Sequence, residues 1–584
     1  MRSRHLHVCV LGGAIAAFTL AVSAVGFWKY AYYRYQGMDL AIYTNVLWSL
    51  THGGGWWSSI QGSSYLGDHI EPILLLLAPL FHVWSDPRLL IILQACVLGL
   101  TAVPVYLFFT YASSSRAERS EGERSPDNRS EISPHDARNG SRALIPLLWL
   151  LNPLLWNAAL FEFHALAFAP LFLLSAACAH ARRRYRWFLL WMVLALSVRE
   201  DIALIVVMFG VAALVERWSA HRQRVAPPQP ERILPLLQRG SERGWKWALA
   251  PILLGSLWFL VATYIAAAHS ASGAYKFLIY YGWLHGAASH PFMLLRHIVS
   301  IGNIDMGLGL LLPFLFLPIL RPRWLLLAIP PLLQILLAGP GGSSVVVETH
   351  YALLFLPALV LAGVSAVHSI SPPLAEGERE GVRLRHWLSR HFPLPRPFAI
   401  TLGIAVFLAA AWMLGPFPGI ASVVVHDASA EDRARRVAYD TLLARVPSDA
   451  PIAAGYAALP HVAARRGAYA LPYTYLGVNQ YALMPYELPD ATRYMLLDQR
   501  DAITYAVQFP GVGWSASYAR GGLDRLRKLI SNGRFGVVAE RNGIALLERG
   551  VEGALPAVKY FTPDAVPRGR LGICLLYTSP SPRD

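Results

Sequence analysis

Every second break between the hydrophobic stretches of this chain is rich in arginine, and the breaks in between carry carboxylates and imidazoles. The arginine-rich breaks are 113–142, 181–186, 217–246, 321–323 and 369–397. The intervening set holds Asp39, Asp68-His69, Glu162-Phe163-His164, Arg199-Glu200-Asp201 and Glu348-Thr349-His350. This alternation constrains the fold, because Lys and Arg in the loops between membrane spans set which loops stay cytoplasmic. It assigns the two sets to opposite faces of a bilayer. One face carries topogenic charge; the other carries side chains that can do chemistry.

Composition agrees. Of 584 residues 55% are hydrophobic and 15% charged, with a mean hydropathy of +0.40. A soluble chain of this length is far more polar, so a polytopic α-helical membrane protein is expected. The net charge of +15 sits largely in the arginine-rich loops, so it reads as positive-inside bias and predicts no nucleic-acid partner. Cys9, Cys96, Cys178 and Cys574 show no CxxC spacing, and the first three fall in apolar stretches as buried free thiols.

About 11 transmembrane helices are expected within 1–415, each of about 20 residues. A basic start followed by an apolar stretch is read as a retained first helix, with further spans behind it; a cleaved signal peptide is the alternative. Residues 28–86 form the first external loop. Within it 70–83 is apolar but short, which suits an interfacial helix; if it crossed, every later basic loop would change sides. The loops 113–142, 217–246 and 369–397 read as cytoplasmic insertions. The first of these has six arginines and six acids and a disordered composition, and its Asn128 sequon reads as a chance match. Beyond residue 415 no apolar run is long enough to span. Short apolar strands at 451–455, 494–498, 535–539 and 544–548 alternate with polar helical stretches, which predicts a small extracytoplasmic α/β domain over 416–570. No glycine fingerprint for a nucleotide is present. Residues 571–584 resemble translated sequencing-adapter sequence, so the natural C-terminus is expected to be missing or altered.

Ionisable groups at membrane depth are costly and point to function. Asp39 sits just after the first crossing, where an apolar wall suits a general base; its structural alternative is a helix cap or a partner for Arg34. Asp68, His69 and Glu71 open the interfacial segment and suit a substrate hydroxyl, a possible divalent metal, or a helix cap. Glu162 and His164, flanked by Phe161 and Phe163, face substrate. Arg199 suits a phosphate, or else pairs internally with Glu200 and Asp201. Glu348 and His350 follow a Gly-Pro-Gly-Gly turn. Lys276, Arg296 and His297 are weaker candidates for an anionic headgroup, with interfacial snorkelling favoured. No nucleophile elbow, Walker A, HExxH or zinc-type cysteine set is present.

Met38-Asp-Leu-Ala-Ile-Tyr43, Gly67-Asp-His-Ile-Glu-Pro72, Phe161-Glu-Phe-His164, Val198-Arg-Glu-Asp201 and Thr349-His-Tyr351 together resemble the bacterial membrane proteins grouped as domain of unknown function 2079. The stretch from Pro451 through Pro460-His461 and Arg465-Arg466 to Pro472 is similar too. That family resembles, distantly, the GT-C glycosyltransferases, which move sugars from polyprenyl-phosphate donors at the outer face of the membrane. The resemblance implies a GT-C-like membrane domain in the bacterial inner membrane. It also implies a polyprenyl-phosphate-linked sugar as partner, membrane lipid around it, and Asp39 as catalytic base in an inverting transfer. The Asp-Glu pair of protein mannosyltransferases and the WWD-type signature of oligosaccharyltransferases are missing, which leaves acceptor and metal open. A lipid-linked-intermediate flippase and a non-enzymatic envelope scaffold are the rival readings. The first needs polar groups on both leaflets, and the second needs the five motifs to lie far apart.

Overall fold

The computed structural model describes residues 2–111, 144–225, 245–270, 273–288, 290–338, 343, 345–370, 396–426, 428–479, 484–501, 521–532 and 535–551. The basic insertions expected at 113–142, 217–246 and 369–397 lie largely outside the described residues, as do Cys574, Asn128 and the segment 571–584.

The chain is mostly helical. Helix α1 (Arg2–Ala31) packs along α4 (Pro87–Leu100), and between them run α2 (Asp39–Thr51), a short ribbon of β1 (Trp57–Ser58) and β2 (Ser63–Ser64), and α3 (Ile73–Val83). Next come α5 (Pro153–Leu160), α6 (Phe168–Ala181), α7 (Tyr185–Leu196), α8 (Ile202–Val225) and α9 (Trp245–His269). After a run of short helical turns follow α10 (Pro291–Ile298), α11 (Ile301–Leu311), α12 (Ile329–Leu337), α13 (Leu356–Ile370), α14 (Arg396–Leu414) and α15 (Phe417–His426).

Helix starts are written locally. Asp86 accepts the Arg88 N–H at the head of α4, and Asn152 accepts the Leu154 N–H at the head of α5, each with proline at the first helical position. Among the described residues four helices are long and apolar enough to cross a membrane: Leu6–Ala31, Pro87–Tyr111, Trp245–His269 and Phe292–Phe314. A fifth is possible by length if Ile400–Leu414 and Phe417–Val425, bent by 70°, form one span. Five more apolar helices, Ile73–Val83 among them, are shorter. The 11 residues of α3 reach about 16 Å at 1.5 Å per residue, well short of a bilayer core of about 30 Å. Ile73, Leu74, Leu77 and Phe81 face protein, while Leu75, Leu76, Leu80 and Val83 are exposed. The cysteines depart from expectation. Cys178 is buried, but Cys96 is half-buried and Cys9 is exposed, because among the described residues no helix packs on the outer side of α1.

The last third builds a five-stranded sheet in the order β4-β3-β5-β7-β6, with α16 (Ala430–Leu443) and α17 (Gly522–Asn532) against it. Strands β3 (Ile452–Ala454), β4 (Ala468–Ala470) and β5 (Tyr494–Asp498) are parallel; β6 (Phe535–Arg541) and β7 (Ile544–Arg549) add antiparallel. Asn542 and Gly543 both take positive φ, the turn that matches the twist of a tight hairpin. Ser429 and Asp432 form a reciprocal capping box at the head of α16.

The sheet shares one continuous apolar cluster with the helices. The segment after α1 is its polar seam. Tyr33 donates to Asp440 at 2.8 Å, Arg34 pairs with Asp432, and the His461 ring stacks 4.0 Å from both Tyr30 and Tyr33. Arg34 therefore has its partner in the sheet region and not in Asp39. Asn45 of α2 is buried. Its amide donates to the carbonyls of Ala463 and Arg465, and its oxygen accepts the Ser59 N–H at 2.8 Å. Asn45→Ala strands these groups, so it is expected to destabilise the protein by about 2–3 kcal/mol. A thermal unfolding midpoint in detergent reads this out, and an unchanged midpoint would mean that the sheet docks by other contacts.

Candidate functional site

Four of the five acid–imidazole motifs, with one residue of the fifth, meet in a polar cluster enclosed by α2, α3, α5, α6 and the turn at His350–Leu354. Asp39 is the first residue of α2, and its carboxylate lies 3.9 Å from Nδ1 of His350. The His350 ring stacks on His164 at 4.0 Å, and His164 stands 6.3 Å from His69. The three imidazoles thus form a row across the cluster.

His164 follows the α5 break and caps the short turn Ala165–Ala167, its Nδ1 accepting the Leu166 N–H at 3.2 Å. That bond assigns the single ring proton of a neutral imidazole to Nε2; the Tyr43 hydroxyl lies 3.3 Å from both ring nitrogens. Tyr43 in turn donates to Glu71 at 3.0 Å, and Tyr65 donates to the other Glu71 oxygen at 2.8 Å. Burial, followed by the neighbouring His350 and Arg199, holds His164 well below the usual imidazole range, so it is neutral. Burial likewise pushes Glu71 up to about 7, against the opposing pull of His69, Arg199 and the Tyr65 hydrogen bond.

Glu200 is buried and accepts from His69 Nδ1 and the Ile70 N–H at 3.0 Å, and from the Tyr275 hydroxyl at 3.1 Å. Burial pushes the Glu200 carboxyl up, but His69, the hydrogen bond from it and Arg199 win and keep Glu200 ionised. Asp68 lies 3.7 Å from the far side of the His69 ring and accepts from Gln61. Arg199, only 3% exposed, forks both arms onto Asp201. The internal-pair alternative is the arrangement observed, and a phosphate at Arg199 has to displace that carboxylate.

Glu162 has both oxygens on backbone: the Gly37 N–H at 2.5 Å and the Leu40 N–H at 3.0 Å, with the Asp39 N–H adding to them. Two other candidates fall outside the cluster. Glu348 is exposed although His350, two residues on, is buried: Thr349 caps the turn that starts at His350 and turns the two side chains apart. Arg296 is exposed on α10, beside a His297 ring that packs on Trp283 at 4.5 Å. The Lys276 side chain lies outside the described residues. Among the described residues no group of three or more His, Cys, Asp or Glu is placed to hold a metal ion.

Sequence reasoning missed Tyr43, Tyr65, Tyr275 and Gln94. Tyr43 follows Asp39 by one helical turn, and Gln94 is a lone amide in an apolar span, so both had a signal. Gln94 donates to the carbonyls of Ala158, Ala159 and Glu162 and accepts the His164 N–H, fixing the backbone on both sides of the Glu162 break. The two other tyrosines sit in aromatic-rich loops that hide them.

Such a helical bundle, with acids and imidazoles satisfying one another between apolar helices, defines a membrane protein with an internal polar site. The chain belongs to the family described as "Predicted membrane protein (DUF2079)", whose model matches residues 31–546. No curated protein matches the chain.

Glu71 gives this site a pH signature. Its carboxyl is raised in the folded state, so its contribution to stability is complete below about pH 4.5 and is lost as pH rises through about 7. Glu71→Gln, whose amide keeps a partner for each tyrosine, is expected to flatten the fall of the unfolding midpoint across that window by a few degrees. A slope identical to the parent's would show that Glu71 is already ionised in the fold.

Proposed function

We propose that this protein is a glycosyltransferase that takes a sugar from a polyprenyl-phosphate donor at the outer face of the bacterial inner membrane. The observation that carries the reading is the position of Asp39. It starts a helix at the rim of the cluster, 15% exposed, with the His350 imidazole 3.9 Å away. Glu162, Glu71 and Glu200 are buried deeper, at 3%, 0% and 1% exposed, which favours Asp39 as the carboxylate that meets a substrate.

Asp39 takes the proton of an acceptor hydroxyl. The hydroxyl oxygen attacks the anomeric carbon, the bond from that carbon to the phosphate oxygen breaks, and the polyprenyl phosphate leaves with the electron pair, inverting the centre. The neutral His164 and the Tyr43 hydroxyl suit sugar hydroxyls, which want both donors and acceptors.

Alternating basic loops support about eleven crossings with these motifs and the C-terminal sheet on the extracytoplasmic side. Convergence of the motifs favours an enzyme over a scaffold, and their concentration in one cluster favours it over a flippase path lined on both leaflets.

Asp39→Asn is expected to lower sugar transfer by at least about 100-fold with the fold retained. Turnover of a panel of undecaprenyl-phosphate hexoses by the purified protein in nanodiscs measures this. Full activity in Asp39→Asn would overturn the mechanism.

A further inference from the structure

Helix α2 begins at Asp39 without a cap of its own: Met38, at the capping position, makes no side-chain hydrogen bond to the helix. The first amides of a helix need acceptors, and here one distant side chain supplies them. Glu162, from the break after α5, takes the Gly37 N–H on Oε1 and the Leu40 N–H on Oε2, with the Asp39 N–H adding to them. A carboxylate at a helix N-terminus is also favoured by the helix dipole.

Two neighbours hold this carboxylate in place. The Lys29 ammonium binds the Leu160 carbonyl at 2.5 Å and acts on Glu162 electrostatically from α1. Gly37 leaves the room: a Cβ there would stand 2.8 Å from Oε1 and 3.0 Å from the carboxyl carbon of Glu162. The Lys29 ammonium also sits 4.5 Å over the Tyr35 ring, so α1, the Tyr35–Gly37 segment, α2 and the α5 break all converge on one carboxylate.

We propose that Glu162 is a positioning residue: by capping α2 from across the cluster it fixes the direction in which Asp39 presents its carboxylate to His350 and the substrate. Glu162 itself does not touch substrate. The inference rests on the transferase reading of Asp39. It replaces the substrate contact expected for Glu162 with an action through the backbone, and it makes Gly37 part of the same device.

The test is a double-mutant cycle in nanodiscs, read as turnover of the undecaprenyl-phosphate hexose panel with the unfolding midpoint measured alongside. Glu162→Gln is expected to lower kcat by about 100-fold with KM changed less than about threefold, the cost of displacing a reacting group by about 1 Å. In an Asp39→Asn background the same substitution is expected to change residual turnover less than about twofold, since it acts only through Asp39. Gly37→Ala, which leaves Glu162 in the chain but crowds its carboxylate, is expected to reproduce the loss and keeps the idea testable if Glu162→Gln does not fold. Full additivity of Glu162→Gln with Asp39→Asn, or a Gly37→Ala protein with parental kcat, would overturn the positioning role. Full activity in Asp39→Asn alone would instead overturn the transferase reading.

Discussion

The carboxylate of Glu162 reaches from the break after α5 to the amides of Gly37 and Leu40, and much of the polar centre depends on that reach. A buried carboxylate in an apolar bundle is stable only when its lone pairs are filled and an opposite charge is near. Glu162 meets both conditions, with backbone amides on its oxygens and Lys29 close by. Gln94 then fixes the loop from which Glu162 and His164 project, and His164 carries the order on to Tyr43, Glu71 and Tyr65. Removing one partner at depth leaves another unsatisfied, so the network behaves as a unit.

The C-terminal sheet extends this dependence. Asn45 lies on the same helix as Asp39, nearly two turns along, and binds the Ala463 and Arg465 carbonyls. Tyr33 and Arg34, just before that helix, bind Asp440 and Asp432. Helix α2 is thus held at its start by the break after α5 and along its length by the sheet region. A strain in either reaches Asp39 through a rigid helix, which gives a physical reason for the two parts to share one core.

Much of this was legible in the sequence, for identifiable reasons. The alternation of basic and acidic breaks singled out residues that meet in the cluster, because ionisable groups between apolar stretches have few places to go. Strands form where short apolar runs predicted them, at Ile452–Ala454, Tyr494–Asp498, Phe535–Arg541 and Ile544–Arg549, while Ala468–Ala470 is too short and small to stand out. Partnership was not legible. Whether Glu162 meets a sugar or an amide depends on a segment 125 residues earlier in the chain, and nothing local encodes that. Glu348 and His350 read as a pair, yet a turn capped by Thr349 separates them. Helix length was misleading as well, since α5, α6 and α7 run 8, 14 and 12 residues and not the twenty of a simple crossing.

The proposal holds a lipid-linked sugar at the rim where Asp39 is partly exposed, with the buried His350 behind it. A cryo-EM map of the nanodisc-embedded protein with an undecaprenyl-phosphate hexose tests it most directly. The account predicts headgroup density within hydrogen-bonding distance of the Asp39 carboxylate, with Glu162 still on the amides of Gly37 and Leu40. Headgroup density bound elsewhere, with the Asp39 rim closed to it, would contradict the account.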